Sequence, residues 1–108
     1  MGIMYDKKSL GKRIKEVRKS KGFTQERLSE IVGIDAKHLS RIECGINSPS
    51  LDLLNKISSA LDVETYILFQ TNQYRPKTEL IQDINNILKS SPEDKIRTYY
   101  KVLLDIVS

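Results

Sequence analysis

Residues 24–45 read TQERLSEIVGIDAKHLSRIECG, two short amphipathic patterns that meet at Gly33. In the first, Thr24 offers a side-chain oxygen as N-cap, Gln25 and Glu26 fill the opening turn, and Leu28, Ile31 and Val32 make an apolar stripe. Asp35 is the N-cap expected for the second pattern, in which only Leu39 and Ile42 are apolar before Gly45 ends the helix. With those two turned inward, Ala36, Lys37, Ser40 and Arg41 fall on the opposite side, because positions three and four apart share a helical face. A short helix that buries so narrow a side and leads with small and basic side chains has the shape and chemistry for a DNA major groove.

Upstream, Leu10, Ile14 and Val17 predict a first helix over 9–21, with Ser9 as N-cap and Gly22 as its end. Downstream of the loop GINSPS, Leu51, Leu54, Ile57 and Leu61 form the stripe of a fourth helix, and 63–69 supplies a short apolar fifth. The polar segment QTNQYRP then reads as a linker ending at Pro76. Beyond it, Leu80, Ile81, Ile84, Ile87 and Leu88 mark a sixth helix. In SPED at 91–94 the serine reads as N-cap and the proline as first residue of a seventh, whose apolar face is Ile96, Tyr99, Tyr100, Leu103, Ile106 and Val107.

Composition narrows the class. A chain of 108 residues has room for one domain with an appendage and needs neither disulfide nor metal to hold a core. Cys44, the single cysteine, excludes an internal disulfide and a zinc cluster, which fits a reducing, cytoplasmic compartment. The start MGIMYDKK lacks the apolar stretch of a signal peptide, and no later run approaches the length of a membrane span, so a soluble chain without membrane contact is expected. Charge is uneven: residues 1–48 hold 11 Lys and Arg against 6 Asp and Glu, whereas 49–108 hold 7 against 8. A basic half matches either a polyanion partner or a plainly solvated surface. His38, the only histidine, has no Cys or Asp partner at catalytic spacing and no second ligand; no metal, cofactor or catalytic set is expected.

Taken together, residues 10–69 resemble the Cro and phage-repressor type of helix-turn-helix domain, the XRE family. The resemblance rests on Gln25, Leu28, Val32, Gly33, Leu39 and Ile42 at their spacings, and on the flanking IECG and PSLDLLNKISSALDV. Ser29 departs from it, standing where the family usually has alanine in a tight contact between helices. Apolar spacing and the polar break place a linker at 71–76 and a helical hairpin at 77–108, for an all-α chain; the resemblance implies a five-helix DNA-binding domain at 1–70. It also implies base contacts by Ala36, Lys37, Ser40 and Arg41, and phosphate contacts by Thr24, Gln25, His38, Cys44, Asn47 and Ser48. Arg18 and Glu43 match the family's internal ion pair.

The hairpin lies outside that resemblance. Either it packs back on the first domain, or Ile84, Leu88, Tyr99, Leu103 and Ile106 form a homodimer interface, since operators read by such domains usually have two half-sites. The function expected is a sequence-specific transcriptional regulator, a repressor that binds double-stranded DNA at an inverted repeat as a homodimer. An antitoxin-type regulator whose C-terminal helices bind a partner protein is the alternative, and a protein-interaction module that has lost DNA binding is disfavoured by Lys37 and Arg41.

Overall fold

A computed structural model describes residues 6–108; what was read from residues 1–5 lies outside them. Among the described residues the chain forms α1 (Lys7–Ser20), α2 (Gln25–Val32), α3 (Ala36–Glu43), α4 (Leu51–Ala60), 3-10 helices at Thr65–Phe69 and Asn72–Tyr74, then α5 (Lys77–Ser90) and α6 (Glu93–Val107). It divides into two compact units, the first ending at Tyr74 and the second spanning Arg75–Ser108. The all-α class matches the expectation.

In the first unit every α-helix begins at a side-chain acceptor. Asp6, Thr24, Asp35 and Ser50 accept from the backbone N–H three residues on, relieving one of the amides that a helix start leaves unpaired. Ser9 is therefore not the cap of α1. Its own amide donates to Asp6 Oδ1 at 2.7 Å, and the helix starts at Lys7, three residues before Leu10 opens its apolar pattern. Apolar side chains from these helices meet in one core, where Ile14, Leu28, Leu39, Ile42, Ile57, Leu61 and Leu68 are fully buried. Burying one such side chain is worth about 1.5–3 kcal/mol, enough to hold helices too short to persist alone.

Two residues expected in the stripe lie outside it. Ile31 is 45% exposed and Leu51, the first residue of α4, is 66% exposed. The fifth element is a 3-10 helix rather than an α-helix, and the stretch after it is not wholly a linker. Thr71 is buried, and Tyr74 donates its hydroxyl to Glu16 at 2.7 Å while Lys12 Nζ sits 4.8 Å from its ring centre. That hydrogen bond, chiefly, lowers the Glu16 carboxyl from its ordinary range. Arg13 adds a second tie, donating Nε to the Ile67 carbonyl at 3.0 Å.

The second unit is an αα hairpin without side-chain caps. Pro76 and Pro92 precede its helices, and Ser91 is not the N-cap of α6; it closes α5 instead, its hydroxyl donating back to the Ile87 carbonyl.

The tightest seam of the first unit joins α1 to α3. A Cβ added at Gly11 would overlap the Ile42 carbonyl oxygen and lie 2.9 Å from that of Glu43, so only glycine lets α1 approach the end of α3 backbone to backbone. Gly11→Ala should therefore destabilise the chain by roughly 1–3 kcal/mol, as overpacking does, although alanine is the better helix former by about 1 kcal/mol. Urea unfolding checks it; a stability equal to the parent would mean that the two backbones are free to separate.

Candidate nucleic-acid interface

The quoted stretch forms two eight-residue helices, α2 and α3, joined by a turn in which Gly33 takes φ +83°, a conformation that a side chain would strain. Ser29 and Gly33 make this junction compact. Ser29 is buried, and its hydroxyl donates to the Glu26 carbonyl at 2.9 Å, which explains why a polar residue is accommodated where the family prefers alanine.

Helix α3 presents its faces as periodicity requires. Leu39, Ile42 and Glu43 are buried, Lys37, His38 and Arg41 are exposed, and Ala36 and Ser40 lie partly buried between them. The expected ridge is thus a basic pair, Lys37 and Arg41 one turn apart, flanked by two small side chains. Neither cation has an ion-pair partner among the described residues, so both are free to meet an anion or a base edge.

The start of α2 lies against the end of α3 through a buried network. Arg18 Nε donates to Glu43 Oε2 at 2.7 Å and Nη2 to Oε1 at 3.0 Å, so the expected pair is present as a two-pronged bridge with side chains 7% and 0% exposed. Arg18 Nη1 also donates to the Phe23 carbonyl at 2.7 Å, holding the loop that leads into α2. Gln25 belongs to the same network: its Nε2 donates to Glu43 Oε1 at 2.9 Å. Spacing could not show this link, because Gln25 and Glu43 are eighteen residues apart and meet only once α2 and α3 are folded. Thr24 is occupied as the α2 cap, accepting from the Arg27 amide at 3.0 Å.

The loop after α3 continues the same edge. Cys44 and Ser48 are exposed and Asn47 is partly buried, while the amides of Ile46 and Asn47 both donate to the Arg41 carbonyl. Lys7 joins them, with Nζ 3.2 Å from the Ile46 carbonyl, and the Lys8 Cα would stand 2.6 Å from a Cβ at Gly45. Neither lysine was singled out by helical pattern, since both precede the apolar residues of α1. Among the described residues no group of three or more His, Cys, Asp or Glu is placed to hold a metal ion, and no helix is long and apolar enough to cross a membrane.

Residues 14–68 match the helix-turn-helix family model. The chain belongs to the XRE-type helix-turn-helix family. It is 32% identical over 79 residues to the SPbeta prophage-derived uncharacterized HTH-type transcriptional regulator YonR of Bacillus subtilis (strain 168), spanning 72% of this chain and 73% of YonR. To the HTH-type transcriptional regulator SinR of the same organism it is 40% identical over 60 residues, 55% of this chain, and it spans about half of that relative's length (54%). The solved structure of SinR, the master regulator for biofilm formation, in complex with DNA matches 56% of this chain and 98% of that one at 39% identity and TM-score 0.53. A SinR–SinI complex matches 87% of this chain and 93% of that one at 26% identity and TM-score 0.56. These relatives are named HTH-type transcriptional regulators.

The conformation of α3 depends on its cap. Asp35 accepts from the His38 amide at 2.7 Å, and Asp35→Ala should lower stability by about 1 kcal/mol while leaving the core unchanged. Chemical denaturation followed by circular dichroism tests this, and an unchanged midpoint would show that packing alone starts the helix.

Proposed function

We propose that the chain is a sequence-specific repressor that binds an inverted-repeat operator as a homodimer. The observation that carries this reading is the unpaired basic pair Lys37 and Arg41, exposed on the side of α3 opposite its buried Leu39 and Ile42. In that arrangement α3 enters the major groove. Arg41 or Lys37 pairs with guanine O6 and N7, Ala36 packs on a thymine methyl, and Ser40 donates to a base edge. Gln25, with the free amides that open α2, holds a phosphate, and Thr24, His38, Cys44, Asn47 and Ser48 line the path of the backbone. Repression follows most simply from occupancy, when an operator overlaps the start of a gene and excludes polymerase.

Two mutations separate reading from positioning. Arg41→Ala should weaken operator binding by about 1–3 kcal/mol and relax the choice at one base pair. Gln25→Ala should weaken operator and unrelated duplex alike, because a phosphate contact carries no sequence. Binding-site selection from a random library checks both, and an unchanged consensus for Arg41→Ala would remove Arg41 from the reading set.

The homodimer is assigned to the second unit. Its helices bury no residue completely, and Ile84, Ile87, Leu88, Tyr99, Val102 and Leu103 line an apolar groove between α5 and α6. A second copy of the same hairpin covers such a face and sets two recognition helices roughly 34 Å apart along the DNA. A partner protein is the other occupant to consider, supported by the likeness to a SinR–SinI complex over most of this chain. The first unit has its own core and its own end at Tyr74, so a chain truncated there should stay folded, sediment as a monomer and bind a palindrome only weakly. A folded dimer after truncation would place the interface in the first unit; a full-length monomer would favour the partner protein.

A further inference from the structure

Three donors converge on the Glu43 carboxylate: Arg18 Nε and Nη2, and Gln25 Nε2. The three side chains come from α1, α2 and α3, and the carboxylate is wholly buried. We infer that Glu43 is a positioning residue for DNA binding, which holds the Gln25 amide in the orientation that grips a phosphate. This rests on the reading of Gln25 as a phosphate contact.

The geometry of a primary amide gives the reason. Nε2 carries two hydrogens in the amide plane, and directing one at Glu43 fixes the direction of the other. A glutamine side chain on a surface helix otherwise samples many rotamers, so the tie removes disorder before DNA arrives. Positioning matters more here because Glu26 adds a negative charge to the same turn; a phosphate at this end is held by directed N–H donors rather than by net charge. Since Glu43 is the last residue of α3, the same carboxylate also sets where that grip lies relative to the recognition helix.

An amide at position 43 leaves one neutral oxygen for three donors and turns its own N–H group on one of them, so Glu43→Gln weakens the hold on the Gln25 amide. The test is a cycle of Gln25→Ala, Glu43→Gln and the double variant in the full chain, with operator affinity measured across a salt series at a temperature where thermal melts show each folded. Each single variant should lose roughly ten-fold in affinity. The double variant should lose no more than either single, and the slope of log affinity against log salt should stay the same for Gln25→Ala, because a neutral amide on a phosphate releases no counterion. Additive losses, or a full-strength operator affinity for Glu43→Gln, overturn the positioning role. No effect of Gln25→Ala itself overturns the phosphate reading and the inference with it. A measurement on the unaltered free chain needs no variant to fold: the Gln25 side-chain amide should show heteronuclear NOE values like the α2 backbone, and values as averaged as those of exposed Gln82 overturn the proposal.

Discussion

The buried bridge between Arg18 and Glu43 is the constraint on which the first unit depends. Two charges taken out of water are tolerable only when each is well compensated, and here each of the three guanidinium nitrogens of Arg18 donates to Glu43 or to the Phe23 carbonyl. The bridge can form only if α1 lies close to the end of α3, which Gly11 permits, and only if the loop before α2 turns where Phe23 can accept. One ion pair thus ties three helices at a single point. Helix α3, with eight residues, could not persist without such anchoring, and its buried side is satisfied by Leu39, Ile42 and Glu43 alone. The opposite side is left free of any structural duty, and that is where Lys37 and Arg41 stand.

The core and helix order of the first unit were legible because periodicity and caps agree there. Leu10, Ile14, Val17, Leu28, Leu39, Ile42, Leu54, Ile57 and Leu61 are buried as their spacing implies, and Thr24 and Asp35 cap as their side chains allow. The failures come where one local signal has to choose between equivalent outcomes. Ser9 and Asp6 both precede the apolar pattern of α1, and the carboxylate wins the cap. Leu51 and Ile31 satisfy a stripe on paper, yet each lies at the margin of its helix's contact and stays in water. Tyr74 sits in a polar segment, and nothing local announces that its hydroxyl will find Glu16 fifty-eight positions away. The same limit applies to the ridge: its residues follow from spacing, whereas the Gln25 link to Glu43 exists only in three dimensions.

The two units solve the problem of burial differently. The first closes its apolar surface within itself, with four helices capped by side chains and seven side chains sealed from water. The second consists of two helices, and two helices have no interior. Residues on α6 show how far this goes. Tyr99, Val102, Leu103 and Ile106 lie along one side, while Tyr100, Leu104 and Val107 follow on the next, and Leu104 and Val107 are 47% and 77% exposed. An amphipathic helix with a single neighbour needs an apolar stripe of roughly 100°, and these residues span about twice that arc. Contact with α5 satisfies only part of it. Between Tyr99 and Val107 the charges are Lys101 and Asp105, which share the opposite side and leave the apolar arc uninterrupted. The apolar arc of α6 is wider than one neighbouring helix covers, and that excess is the physical ground on which the proposed homodimer is placed in the second unit.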